Sequence, residues 1–234
     1  MKIVVIAAHT DDGEVGVGGT IINLLRNNHK VMILNLSGDG EARKKGEKTA
    51  KILGCQVRWI TTYPTCSLCE ENILFKKVEN ILDRYRPYII FSHWPVDEHP
   101  DHRLAGSIAI RYVNSKEQKF VDAQGNTFPR EYYPFLLFYE VLTGKQTKCF
   151  SPSVFIEFTK DVVKQKKTLM DIYAKPWTDY SRQWYHHHLL MMKFRALESG
   201  VARGAEIKKG LWAEAFVPYP APRTLKRSPL PGER

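Results

Sequence analysis

Apolar positions in the first half of the chain alternate between two periods. Residues 2–8 form a continuous, β-branched-rich run, the pattern of a strand buried on both faces. Gly18-Gly19-Thr20 then opens a helical spacing through Ile21, Ile22, Leu24 and Leu25. The alternation repeats, with strands predicted at Val31–Leu36, Val57–Ile60 and Tyr88–Ser92. Helices are predicted at Ala42–Leu53, closed by Gly54, at Ile73–Tyr85, and from about Asp101 towards Tyr112. Strand–helix alternation of this kind predicts an α/β fold, a mostly parallel Rossmann-like sheet with helices on both faces.

The rhythm changes after residue 115. A polar turn over Asp122–Asn126 precedes strands at Phe135–Val141 and Val154–Phe158, then helices at Lys160–Tyr173 and Arg182–Leu197. From Pro218 the chain is rich in proline and reads as an extended tail, so residues 1–217 are expected to form one domain with a C-terminal α/β extension. The N-terminal apolar stretch runs directly into His-Thr-Asp-Asp, which favours a buried strand over a signal peptide. No apolar run reaches the roughly 18 residues of a membrane span. A soluble, cytoplasmic protein is expected, and self-association is left open.

Net charge is +10 and uneven: residues 160–234 hold 15 Lys and Arg against 7 Asp and Glu. Trp177, Tyr180, Trp184 and Tyr185 interleave with that basic segment, but no nucleic-acid motif accompanies them, so nucleic-acid or anionic-surface binding is a secondary alternative. Four cysteines are too few for a disulfide scaffold at this length. Cys66 and Cys69 have zinc-pair spacing but lack a second pair. His186-His187-His188 reads as a solvated helix face, because consecutive helical residues point in different directions. Gly16 and Gly18 do not complete a dinucleotide fingerprint, since Ile21 stands where the third glycine would be.

Chemistry concentrates in two clusters. His9, Asp11 and Asp12 follow the first predicted strand, and His99, Asp101 and His102 follow the fourth. Parallel sheets of this type bind ligands beyond the carboxyl ends of their strands, so residues about ninety positions apart are expected to meet at one rim. Two imidazoles and a carboxylate suit a catalytic divalent metal with an open position for water. The expected ligands are His9, Asp12 and His102; His93 and Asp97 crowd the second loop and are placed behind them. Asp11 is the expected general base, its rival role being a helix cap. His99 would stabilise an oxyanion and protonate a leaving amine, with Asp101 orienting it or capping the helix.

His9-Thr-Asp-Asp-Gly-Glu-Val-Gly-Val-Gly-Gly-Thr20, His99-Pro-Asp-His102 and Trp212-Ala-Glu-Ala-Phe216 resemble three motifs of the LmbE-like, or PIG-L, family of zinc-dependent N-acetylglucosamine deacetylases. The resemblance implies a Rossmann-like fold, metal on His9, Asp12 and His102, Asp11 as base, and His99 paired with Asp101. It further implies Zn²⁺, with Fe²⁺ or another divalent ion as the alternative, and a small substrate in which GlcNAc is joined to another group. Arg43 is the nearest match to an arginine early in the second helix that helps hold substrate. Thr10 stands in place of the usual proline and Gly13 in place of an acidic residue. The resulting expectation is an N-deacetylase, with an amidase acting on a larger conjugate as its enzyme alternative.

Overall fold

The structure, a computed structural model, describes residues 1–65, 69–117, 120–121, 127–128, 133–142, 146–175, 178–201 and 212–219. Cys66, Trp177, the predicted turn at 122–126 and the proline-rich segment from residue 220 lie outside them. The described strands are β1 (Lys2–Ala7), β2 (Lys30–Asn35), β3 (Gln56–Trp59), β4 (Ile89–His93), β5 (Phe120–Val121), β6 (Thr127–Phe128), β7 (Phe135–Tyr139), β8 (Val154–Phe158) and β9 (Trp212–Pro218). The helices are α1 (Asp12–Arg26), α2 (Gly40–Leu53), α3 (Glu71–Tyr85), α4 (Pro100–Glu117), α5 (Lys160–Ala174) and α6 (Asp179–Ala196), followed by a π turn over Leu197–Val201.

Seven strands form one sheet in the order β3-β2-β1-β4-β7-β9-β8, and β5 and β6 make a separate antiparallel pair. β1 pairs in parallel with β2 and β4, β2 with β3, and β4 with β7. β9 is antiparallel to both of its neighbours, wedged between β7 and β8. Pro218 closes that strand opposite Leu137, one residue beyond the domain boundary that composition suggests.

The central strands are apolar on both faces because both faces are covered. Val4 and Ile6 pack with Leu74, Val78 and Leu82 of α3 and Ile108 and Tyr112 of α4. Ile3 and Val5 pack with Val15, Ile21 and Leu24 of α1. The α3 residues recur at i, i+4 and i+8 and are buried, each contributing roughly 1.5–3 kcal/mol relative to exposure. Helix ends follow local chemistry: the Asp39 carboxylate accepts from Ala42 N at 2.9 Å, and Gly54 ends α2 at φ 74°.

Helix α1 begins at Asp12, six residues before the glycine pair at which periodicity alone starts it. All of residues 12–22 are buried, so the first half of the helix has no polar face and hence no amphipathic signal. Its glycines allow close approach to the sheet. A Cβ at Gly16 would stand 2.2 Å from Tyr139 Cδ2, and one at Gly19 would stand 2.7 Å from Phe158 Cε1. His188 is also buried on α6, unlike His186 and His187, and so departs from the expected solvated face. Its i, i+4 neighbour Met192 is buried too, which places both on the inward side of the helix.

Gly16→Ala is expected to destabilise the fold by about 1–3 kcal/mol through overpacking, more than the ~1 kcal/mol gained in helix propensity. A urea midpoint equal to or above that of the parent chain would show that Tyr139 yields without cost.

Candidate metal centre

The carboxyl ends of β1 and β4 are adjacent, and each continues into a short loop and a helix N-terminus. β1 therefore delivers His9, Asp11 and Asp12, while β4 delivers His93, Asp97, His99, Asp101 and His102. His9 Nδ1 lies 3.1 Å from Asp12 Oδ2, and His9 N donates to the same oxygen at 2.8 Å. His102 Nε2 lies 3.6 Å from the other Asp12 oxygen. One ligand atom from each of His9, Asp12 and His102 falls within 4.8 Å of the others, and a second overlapping set joins His9, His99 and Asp101.

A divalent ion suits the first set chemically: two imidazole nitrogens and one carboxylate, with a second carboxylate close behind His102. His102 Nδ1 lies 3.2 Å from Asp97 Oδ1, and Asp97 is held in turn by the His99 amide at 2.8 Å and by Thr147 Oγ1 at 2.9 Å. His93 is fully buried, stacks on His102 at 4.2 Å between ring centroids, and accepts the Ala8 N–H on Nε2 at 3.0 Å. That bond occupies the nitrogen nearest Asp12, so in this arrangement His93 serves as a wall of the site.

Electrostatics follow from crowding these groups. Burial works against a charge on His9, but Asp12 and then Asp101 raise its pKa to about 9. His102 is raised to about 10 against the same burial penalty, chiefly by Asp12 and Asp97. Burial also opposes ionisation of Asp12, yet the charge of His102 leads the interactions that hold its carboxyl well below the usual range. His93 is depressed to about 4, by burial first and His102 second. Asp11 moves the other way, up to about 7, through burial and then the adjacent Asp12 charge.

Asp11 occupies the N-cap position of α1, yet its side chain makes no capping hydrogen bond. Asp101 contacts three neighbours: its carboxylate meets His9 Nε2 at 2.9 Å and accepts from Thr65, while its amide donates to His99 Nδ1 at 3.2 Å. Contact with His99 therefore runs through the Asp101 backbone. Arg43 donates Nε to Gly38 O at 3.0 Å and Nη2 to Thr61 O at 2.6 Å, and its guanidinium lies over the Trp59 ring at 5.5 Å. Trp59 Nε1 donates to the buried Thr10 hydroxyl at 2.8 Å, linking Arg43 to the ligand turn.

Residues 4–113 match the family model described as PIG-L, GlcNAc-PI de-N-acetylase. Over this segment, just under half of the chain, the protein is similar to the PIG-L, or LmbE-like, family. The matched segment thus contains every group of the candidate metal centre described above except Thr147. The diacetylchitobiose deacetylase of Thermococcus kodakarensis is 28% identical over 131 residues, covering 48% of this chain and 49% of that protein. The match spans about half the length of this curated relative. Among solved structures, the N,N'-diacetylchitobiose deacetylase of Pyrococcus horikoshii has a TM-score of 0.72 at 21% identity, over 94% of this chain and 84% of that one. The 4-carboxy-2-hydroxymuconate hydratase GalB of Pseudomonas putida KT2440 reaches 0.73 at 17% identity, over 97% and 99%. One scaffold thus carries different chemistries in its relatives, and chemistry has to be argued from side chains.

All six predicted metal and catalytic positions meet at this rim. Sequence spacing did not reveal Glu14, whose carboxylate is buried and accepts from Thr49 and Tyr173 at 2.5 and 2.7 Å. Its partners come from α2 and α5, so no local signal marked it.

His9 and His102 are both protonated at neutral pH in the metal-free protein, so a divalent ion must displace protons to bind. Calorimetric titration with Zn²⁺ in buffers of different ionisation enthalpy is expected to show more than one proton released at about pH 7, with affinity rising between about pH 6 and 8. His102→Ala is expected to lose the metal. Normal zinc content in that variant would move the ligand role to His93 or Asp97.

Proposed function

We propose that the protein is a metal-dependent hydrolase that removes the N-acetyl group from a GlcNAc-type sugar conjugate, with Zn²⁺ as the first-choice ion and Fe²⁺ as the second. The observation carrying this reading is the convergence of His9, Asp12 and His102 beside an Asp11 carboxylate that no helix cap consumes. Relatives named as diacetylchitobiose deacetylases support the substrate class.

A divalent ion held by His9, Asp12 and His102 would polarise the acetamide carbonyl and lower the pKa of water. Asp11 takes the proton from the attacking water, a task suited to a carboxyl poised near neutrality. Burial, then the His102 and His9 charges, lowers the His99 pKa in the metal-free protein, and a divalent ion in their place would oppose protonation likewise, so this ring works as a neutral donor. Because Nδ1 accepts the Asp101 amide, the proton of neutral His99 sits on Nε2, from which it donates to the developing oxyanion. Collapse breaks the C–N bond, and the proton held by Asp11 passes to the leaving amine, giving acetate and a free amino sugar.

Arg43 is assigned to the substrate. Nε and Nη2 brace the loops after β2 and β3, which leaves Nη1 as a donor for a sugar or aglycone oxygen.

Primary-amine and acetate release from a panel of GlcNAc conjugates tests the proposal directly. Asp11→Ala is expected to keep its metal and lose about 10²–10⁴ in kcat, and near-parental turnover would remove Asp11 as base. Release of a bulkier acid in place of acetate would point to an amidase, and no release from a metal-loaded protein would sink the hydrolase reading for these conjugates.

A further inference from the structure

Two adjoining cavities lie between α2 and α5, and the inner one also reaches α1. They share Ile52 and Thr168. The inner one, about 420 Å³, is walled by Ile22, Leu25, Leu53 and Leu169. The outer one, about 520 Å³, carries Lys44, Lys45, Lys48 and Lys175 against Glu41 and Asp171. Both fall within the size range of small-ligand sites.

Charge is not balanced along this groove. Asp171 is paired with Lys167 at 3.2 Å, and Glu41 faces Lys44 at 3.9 Å. Lys45 donates to the carbonyl of Lys175 at 3.0 Å. Lys48 and Lys175 are exposed and face no carboxylate within ion-pair distance among the described residues. At the far end of the inner cavity Arg26 is neutralised by Asp161 at 2.7 Å, so unpaired positive charge sits at one end only. Ile52, 52% exposed, forms the step between the apolar and cationic halves. We infer that this groove is a second binding site, for a small anionic amphiphile whose acidic head rests between Lys48 and Lys175 and whose apolar chain passes Ile52 into the inner cavity. Charge complementarity fixes the direction: the lysines without a carboxylate partner among the described residues lie at the outer end, while Ile22, Leu25, Leu53 and Leu169 gather at the inner one, where Arg26 is already paired.

Calorimetric titration of the full chain with dodecyl phosphate below its micelle concentration tests this, alongside dodecyl maltoside and inorganic phosphate. Dodecyl phosphate is expected to bind one-to-one, at least tenfold tighter than either control. Lys48→Glu with Lys175→Glu is expected to weaken it at least tenfold, as is Ile52→Asp alone, with unfolding midpoints near the parental value. Equal affinity for the maltoside, equal affinity for phosphate, indifference to the substitutions, or retention only on phosphatidylglycerol vesicles would each overturn the inference. Binding requires neither metal nor turnover, so this result is independent of the deacetylase proposal.

Discussion

The Lys166–Glu214 ion pair ties the three parts of the chain that build the site's support. Lys166 of α5 is fully buried and donates to Glu214 Oε1 and to Val15 O, both at 2.6 Å. Glu214, on β9, accepts from the Gly19 and Thr20 amides of α1 at 2.8 Å each. A charged pair in an apolar interior persists only when its remaining hydrogen-bonding capacity is met, and removing one partner typically costs about 3–5 kcal/mol. Both conditions constrain α1. Its glycines admit the Lys166 stem on one side and the Tyr139 and Phe158 rings on others, and its backbone supplies the donors that Glu214 requires. Because α1 begins at Asp12, the same contacts set where the ligand turn ends.

At the rim the balance of charge reverses from what the fold alone would favour. An apolar sheet edge could be covered by hydrophobic side chains at no desolvation cost, yet here imidazoles and carboxylates converge, each perturbed by its neighbours. Their mutual shifts make a set that is well paired without metal and has nitrogen and oxygen donors at ligand spacing. Asp97 belongs to the same arrangement: it steadies His102 from behind while being held by Thr147 from the loop after β7. Orientation of the candidate ligands thus depends on contacts well outside the two motifs that contain them.

The relatives sharpen this separation of scaffold from chemistry. A deacetylase and a hydratase share the architecture at comparable TM-scores. What distinguishes a hydrolytic reading is local: a carboxylate adjoining the ligand set, and an imidazole whose tautomer is set by a helix amide.

Sequence by itself determined the alternation of strands and helices, the parallel sheet, and the meeting of the two polar clusters at its carboxyl edge. These follow from periodicity and from the topology that periodicity implies, and both clusters adjoin strands whose apolar runs are plain. Three features depended on tertiary structure. The start of α1 had no amphipathic signature, since a helix buried on all sides shows no polar face. The place of β9 between β7 and β8 joins segments too distant for any local pattern to relate. The partners of each functional group, from Asp101 turning its carboxylate to His9 and its amide to His99 to the burial of Glu14 against α2 and α5, arise from side chains converging across elements. Spacing along a chain reports which face or edge a residue occupies, whereas hydrogen-bond pairing depends on distances that exist only once the elements have packed.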